Sequence, residues 1–419
     1  MCNVTWITHL AMMDVREHFR LPFMPSGGWL ETYKEQLTGV PHISFSIICV
    51  EKAKKEAVLR FEKGGIKYYL INAKEESYYG KFSSCFVKNL NGVLAETKPD
   101  IIHLHGTEFA ISLALQQEWY AKTPICISIQ GLISVISSRY FWGGLDRRQM
   151  LFRESLPIAI QQCKAKQRGE KEKRILALNK YFIGRTAWDY AHLKAMNRQA
   201  VYYHLAEPIR REFIDGQQWS LDGALPHSIF CAGGCRIPIK GFHKILEALE
   251  LIIDKYPDAT LYVTGSSPMT ENSLKTKIGY RHYIRRILEE KNLFSHVVFT
   301  GTLNASQMVE YFAKSRCYIM ASCIENSPNT LLEAMYVGTP VICALAGGIQ
   351  DFVSHNVNAL IYRFEEVEML ATYISSLFDD DELCCSLSAQ AKRAVAEKQK
   401  GESLDDIYQD IMKRFASKS

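Results

Sequence analysis

No apolar run in this chain approaches the roughly 20 residues that a membrane-spanning helix needs. The opening stretch, MCNVTWITHLAMMD, has neither the basic start nor the long apolar run of a secretory signal. The 12 cysteines show no repeated CxxC pair, and adjacent Cys384 and Cys385 cannot easily bridge each other. Cys49, Cys126, Cys231, Cys317 and Cys343 fall inside apolar strand-like runs, so buried reduced thiols of a cytosolic protein are expected rather than disulfides. Charge of one sign is scarce too. A formal net charge of +5 over 419 residues gives no electrostatic basis for binding nucleic acid. With 47% hydrophobic and 23% charged residues the chain is not disordered, and its length calls for two domains or more.

The small positive excess is local. From Asp146 to Arg174 nine basic residues face four acids, which nets +5 and equals the excess of the whole chain. This window also holds SLPIAIQQ, a short apolar run flanked by charge. Two readings stand: a solvated helix face, or a surface for anionic lipid or a lipid-diphosphate acceptor.

Strand-like and helix-like runs alternate through both halves, the grammar of parallel α/β sheets. In the first half the strands are expected at 4–9, 43–50, 67–72, 100–105, 124–129 and 180–184. Helical runs such as 29–37 and 82–96 lie between them. A Gly-, Asp- and Ser-rich stretch at 215–227 follows AVYYHL (200–205), so the boundary belongs near there. We expect a first domain at 1–205, a second at 206–395, and a helix at 396–419 that can pack back on the first. In the second half the expected strands are 228–232, 260–265, 297–301, 317–322, 340–344 and 358–362. Two α/β Rossmann-like domains facing across a cleft would place ligands outside the carboxyl ends of their strands.

The stretch ENSPNTLLEAMYVGTP (325–340) sets Glu325 and Glu333 around a helix start, with Ser327 expected as N-cap and Pro328 at the first helical position. The free N–H groups and positive dipole end of such a helix suit a phosphate. Two acids on an amphipathic helix can also arise by chance. The ligand reading places a sugar by Glu325, a diphosphate over the helix start and a ribose by Glu333. Cations are supplied by GGCRIPIKGF (233–242), where Arg236 and Lys240 follow Gly233 and Gly234. AGGIQDF (346–352) adds a third strand-to-helix turn.

These motifs, with VVFTGTL (297–303), cover about half the chain and resemble, in order, the donor domain of retaining glycosyltransferases of family 4, group 1, with the GT-B architecture. The resemblance implies that Glu325 contacts donor sugar hydroxyls, Glu333 the ribose and Lys240 the diphosphate. It implies that the loop Ser327, Pro328, Asn329 and Thr330 covers sugar and phosphates. The family's arginine five residues before the lysine is here Cys235, with Arg236 one residue later as its substitute.

In the first half, MPSGGWLETYKEQL (24–37) has a glycine pair, Gly27 and Gly28. It is either a plain turn or, as in the family, a loop whose N–H groups approach the diphosphate. His103 and His105 lie on one face of a strand; they could begin a metal site only with Glu108, or reflect the family's acceptor domain, with His105 the functional member. Gln130 stands where many relatives have a histidine; it can hydrogen-bond a donor sugar but cannot titrate. Thr186 suits a helix cap, and Arg185 and Asp189 could face the cleft. Asp379 and Asp381 read as helix-terminal charge rather than a metal motif.

The resemblance implies a metal-independent, retaining hexosyl transfer from a UDP- or GDP-linked sugar to a glycan or polyprenyl-diphosphate-linked acceptor, without cofactor. It further implies a cytoplasmic role in bacterial surface polysaccharide synthesis, with peripheral membrane contact through 146–174. A nucleotide-sugar 2-epimerase of the same fold would need more acid/base groups around the sugar, against Gln130. A non-catalytic nucleotide-sugar binder would not need Glu325, Glu333 and Lys240 intact.

Overall fold

The computed structural model describes residues 2–22, 27–116, 118–269, 277–398 and 402–417, so Met24, Pro25 and Ser26 of the expected glycine loop lie outside the described residues. The chain divides into two compact units. The first holds residues 1–137, 165–208 and 401–419; the second holds 138–164 and 209–400. The change of unit falls at Pro208, three residues beyond the expected boundary at 205. Residues 138–164 count with the second unit, although the sequence places them in the first half.

In the first unit, eight strands lie in the order β3-β4-β2-β1-β5-β6-β7-β8. They are β1 (Cys2–Thr8), β2 (Ile43–Lys52), β3 (Ala57–Lys63), β4 (Ile66–Ala73), β5 (Ile101–His105), β6 (Ile125–Ser128), β7 (Tyr181–Gly184) and β8 (Val201–His204). All pairings are parallel except β3 with β4. The parallel strands are buried on both faces, which is why they read as apolar runs rather than alternating ones. β1 lies between β2 and β5, each in parallel register (Thr8 with Cys49, Thr8 with His105). Connections leave β1 and β5 in opposite directions, so the crevice at their carboxyl ends is the topological switch point of this sheet.

The helix Leu404–Ala416 belongs to the first unit, where Leu404, Ile407, Tyr408 and Ile411 are buried. Its Tyr408 hydroxyl accepts from Trp6 Nε1 at 2.8 Å and lies 2.7 Å from His103 Nδ1. Asp410 accepts from the Tyr203 hydroxyl at 2.7 Å.

In the second unit, six parallel strands follow the order β11-β10-β9-β12-β13-β14. Their ranges are β9 (Leu225–Cys231), β10 (Thr260–Val263), β11 (Val297–Phe299), β12 (Ser315–Met320), β13 (Val341–Ala344) and β14 (Leu360–Tyr362). The helix Phe242–Ile252 buries Phe242, Ile245, Leu246, Leu249 and Ile252 against this sheet. A capping box holds the start of helix Ala305–Lys314: Asn304 and Gln307 cap each other's backbone. Here the switch point lies between β9 and β12, at the loops that carry Lys240 and Glu325.

The helix Phe152–Leu178 contains Pro157, and its residues are shared between the two units. Among the described residues, no helix is long and apolar enough to cross a membrane.

Candidate functional site

Three loops converge at the switch point of the second unit. The first leaves β9 and ends in the short turn Pro238–Lys240. Gly241 follows it with φ +67°, and a Cβ there would sit 1.8 Å from the Ala321 carbonyl oxygen, so only glycine lets the turn press against the loop leaving β12. A backbone bond from Cys323 N to Ile239 O (2.9 Å) ties the same two loops. The third turn closes from β13: Gly348 N donates to the Glu325 carbonyl at 3.0 Å. The backbone of Glu325 is therefore fixed from one side by the 239–241 turn and from the other by residues 347–348. Its carboxylate forms an ion pair with the Lys240 ammonium, whose side chain is 35% exposed against 14% for Glu325. One acid and one base, both reachable, stand side by side at the strand ends.

Beyond Glu325 the chain enters helix Asn329–Val337. The cap is Pro328, in extended conformation and without a side-chain bond, and the first helical residue is Asn329. The expectation that Ser327 caps and Pro328 begins the helix is therefore one residue early. A proline has no N–H to leave unsatisfied, so the cap position tolerates it as well as the first turn does. Ser327 is buried, whereas Asn329 and Thr330 are half-buried at the open end. Thr330 is held inward, its hydroxyl accepting from Tyr318 OH at 2.9 Å. The end of the helix still offers the N–H groups of Asn329 and Thr330 to an anion, those of Leu331 and Leu332 being taken by the Pro328 carbonyl.

Glu333 is 3% exposed, one turn along the same helix. Its Oε1 accepts from Arg210 Nε at 2.7 Å. Sequence reasoning missed Arg210: it lies in an irregular stretch just past the first unit, and nothing local marks it as the partner of an acid 123 residues away.

The glycine assignments change in detail. Gly234 is buried, and a Cβ there would meet Val263 at 2.6 Å and Phe242 at 2.8 Å, so its smallness serves packing. Gly233, at φ +83° with open space around it, makes the turn and faces solvent. Cys235, in the place of the family arginine, is buried and donates to the Ser266 carbonyl at 3.4 Å. Arg236 is exposed on the same loop.

A segment from the first half of the sequence completes this neighbourhood. Within the second unit, Gly143 packs so closely that a Cβ would sit 2.2 Å from the Pro238 carbonyl oxygen, and Cys323 Sγ donates to the Tyr140 carbonyl at 3.6 Å. The Gly143-Gly144 pair was the available signal.

In the first unit, Gly27 caps helix Gly28–Thr38 with φ +94°, and Gly28 is its first residue. His103 Nε2 lies 2.7 Å from Ser128 Oγ, so this histidine ties two strands and the carboxy-terminal helix together. His105 is 3% exposed, with ring centroids 4.4 Å from Trp6 and 5.6 Å from Trp29. Burial drives its basicity well below the ordinary imidazole value, so it is neutral and offers a ligand little surface. Gln130 lies two residues past β6, half-buried. Thr186 and Asp189 form a full capping box, and Asp189 is fully buried in that role. Arg185 is buried against Glu207 in an ion pair of 3.0 Å. Asp379 accepts from Lys255 and Tyr256, and Asp381 pairs with Arg316. Among the described residues no group of three metal-ligating side chains gathers.

With this geometry in view, comparison with known proteins is informative. Residues 229–394 match the family model for glycosyl transferases group 1. That stretch runs from within β9 past β14 and includes all three turns around Glu325. A sulfoquinovosyl transferase of Arabidopsis thaliana is 30% identical over 145 residues, 34% of this chain and 26% of that protein. A poly(ribitol-phosphate) α-N-acetylglucosaminyltransferase of Staphylococcus aureus is 25% identical over 170 residues, 40% of this chain and 32% of that one. The matched stretches thus span a third or less of these two relatives. Solved structures resemble the whole chain: a sucrose-phosphate synthase from Thermosynechococcus elongatus superposes with TM-score 0.71 at 15% identity, covering 100% of both chains. Anabaena HepE, solved with UDP and glucose, superposes with TM-score 0.64 at 14% identity, again over 100% of both. These likenesses establish the GT-B fold, two parallel-sheet Rossmann-like domains. The group 1 stretch is the unit that carries Lys240, Glu325 and Glu333.

Proposed function

We propose that the protein is a group 1 glycosyltransferase that takes a sugar from a nucleotide-diphosphate donor with retention of anomeric configuration and without a metal. The observation that carries this reading is the junction at Glu325, where the turns after β9, β12 and β13 close around an acid–base pair at a helix start. An ion pair left reachable at a switch point is poor structural cement, worth about 0–1 kcal/mol, but a good receptor for a ligand that carries both hydroxyls and phosphates.

On binding, the diphosphate takes Lys240 as counter-ion and the first-turn N–H groups of helix Asn329–Val337 as donors. Arg236, on the exposed part of the loop, adds a second cation. Glu325, released from Lys240, accepts from the sugar hydroxyls, and Glu333, steadied by Arg210, accepts from the ribose. In the first unit, Gly27 and Gly28 open a further helix start, and Gln130, two residues past β6, carries an amide that can hydrogen-bond a sugar. His105 supports its strand end from beneath. As the anomeric bond ionises, negative charge grows on the diphosphate, and these fixed dipoles and cations stabilise it without reorganising. The acceptor hydroxyl adds its oxygen to the anomeric carbon and gives its proton to the departing diphosphate.

The acceptor is a glycan or a lipid-linked glycan of surface polysaccharide synthesis, met at the cytoplasmic face of a membrane. Phe152, Leu156 and Ile160 recur every four residues on one face of helix Phe152–Leu178, all exposed, Phe152 by 76%. Exposed Arg147, Arg148, Arg153 and Lys164 surround them, a pattern suited to an anionic bilayer surface.

Thermal-shift screening against UDP-, GDP-, ADP- and dTDP-sugars tests the reading. A stabilising donor, followed by NMR of the product with its anomeric configuration unchanged, supports it; no shift with any of the four donor classes sinks it.

A further inference from the structure

The switch-point crevice of the first unit holds two chemically active side chains that none of the roles above uses. His9 lies just past β1 and Glu108 three residues past β5. Both reach over Gly106, which has φ +102°; a Cβ there would sit 2.5 Å from Glu108 Oε2 and 3.3 Å from His9 Cε1. The glycine is required because the carboxyl and the imidazole fill the space a side chain would take. Phe109 backs the pair: His9 lies 4.2 Å from its ring, and Arg168 sits over it at 4.8 Å. Arg168 Nε also donates to the Glu108 carbonyl at 3.1 Å, fixing the backbone.

The hydrogen-bonding state of each group follows from its neighbours. His9 Nδ1 lies 3.3 Å from the His105 carbonyl oxygen. A carbonyl only accepts, so Nδ1 carries the proton and Nε2 presents a lone pair. Burial pushes this imidazole down to about 4, so it stays neutral. Glu108 Oε2 is buried and has no hydrogen-bond partner among the described residues. Burial, opposed by a hydrogen bond from Glu108's own backbone N–H, reinforced by the Glu172 carboxylate and opposed again by Arg168 and Arg185, raises the Glu108 carboxyl to about 7. Near neutral pH it is therefore partly protonated and can donate.

We propose that His9 and Glu108 form the subsite for a hydroxyl of a neutral sugar or polyol acceptor, and so select uncharged over anionic acceptors. One hydroxyl suits the pair: it donates to His9 Nε2 and accepts from the protonated Glu108. An anion would instead face two carboxyls, Glu108 and Glu172, and a neutral ring, while Arg185 is neutralised by Glu207 and Arg168 donates to the Glu108 carbonyl. Glu172 is itself committed, accepting from Thr107 Oγ1 at 2.6 Å and Ser134 N at 2.7 Å. The assignment of this subsite to the acceptor rests on the glycosyltransferase reading, but its ligand chemistry does not.

The test uses the full chain without nucleotide. Saturation-transfer NMR is recorded with methyl α-D-glucopyranoside and glycerol as neutral probes and glycerol 3-phosphate as the anionic one. Wild type should bind the neutral probes, more weakly as pH rises through 7, because ionised Glu108 no longer donates. Of the titratable and charged groups around Glu108 (His9, Glu172, Arg168 and Arg185), His9 titrates well below that window, while burial raises Glu172 too, so the Glu108→Gln variant assigns the dependence. Glu108→Ala and His9→Ala should each bind about 10-fold more weakly. Glu108→Gln, which keeps a donor, should bind at all pH values and lose the dependence. Unchanged binding in both alanine variants, pH dependence that survives in Glu108→Gln, or preference for glycerol 3-phosphate overturns the proposal. A failed donor screen would instead remove the transferase reading and leave these results standing.

Discussion

Replacing Lys240 with alanine separates a structural ion pair from a ligand-binding one. In the free protein Lys240 and Glu325 pair, yet the lysine is 35% exposed, so solvent screens the bond. Exposed pairs contribute about 0–1 kcal/mol, so the melting temperature should move by only a few degrees. With donor bound, the ammonium meets a diphosphate rather than a carboxylate. A charge-assisted hydrogen bond of that kind contributes about 1.5–3 kcal/mol, equivalent to about 10- to 150-fold in affinity. Charge grows further as the anomeric bond breaks, and loss of one donor to such a centre typically lowers turnover by about 10²–10³. Titration calorimetry with the nucleoside diphosphate, steady-state transfer and thermal denaturation on the same variant read the three quantities. Weak binding, low turnover and nearly unchanged stability are expected together. Near-normal turnover would refute the diphosphate assignment, and a large loss of stability would show that the pair is structural after all.

Glu325→Ala should abolish most transfer while free nucleoside diphosphate still binds; Glu333→Ala should show the reverse emphasis, with nucleotide affinity falling first, and calorimetry against free diphosphate distinguishes the two. Equal loss of nucleotide affinity in both variants would mean that the sugar lies at the wrong end. Phe152→Asp should reduce sedimentation with vesicles containing phosphatidylglycerol by several-fold and leave activity on a soluble acceptor unchanged; undiminished sedimentation would rule out this helix face. Burial pushes His103 down to about 3, below the roughly 6.5 of an unfolded chain. The unfolded state therefore binds more protons over this interval, so the stability from a neutral His103 is complete above about pH 6.5 and declines as pH falls towards 3. Denaturant unfolding should become easier by up to about 1.4 kcal/mol per pH unit from this one site. His103→Asn should flatten the slope by that amount, and an unaltered slope would show that His103 is charged in the fold.

The second unit was the more legible half because its periodicity and turn chemistry agree locally. Phe242–Ile252 shows its stripe in the sequence, Asn304 and Gln307 announce their capping box, and all six expected strands appear. Glu325 and Lys240 could be singled out because each sits next to punctuation, a Ser-Pro and a Gly. Glu333 was legible but Arg210 was not, since an ion pair across 123 residues leaves no local trace. Strand β3 was overlooked despite a signal: Gly64 and Gly65, at φ +61° and +76°, form the two-residue turn that joins it antiparallel to β4. The alternating pattern of a parallel fold drew attention away from a hairpin. Residues 138–164 were assigned to the wrong unit because membership is decided by packing, here by Gly143 against Pro238, and not by order along the chain. His105 looked functional because strand alternation puts it beside His103, but alternation alone cannot tell a crevice from a core, and Trp6 and Trp29 enclose it.

The most direct measurement is a crystal structure of the full chain with a non-hydrolysable nucleotide-diphosphate sugar. The account predicts the diphosphate within hydrogen-bond distance of Lys240 Nζ and the first turn of helix Asn329–Val337, with the sugar on Glu325 and the ribose on Glu333. A nucleotide bound elsewhere, with the Lys240–Glu325 pair still closed, would contradict it.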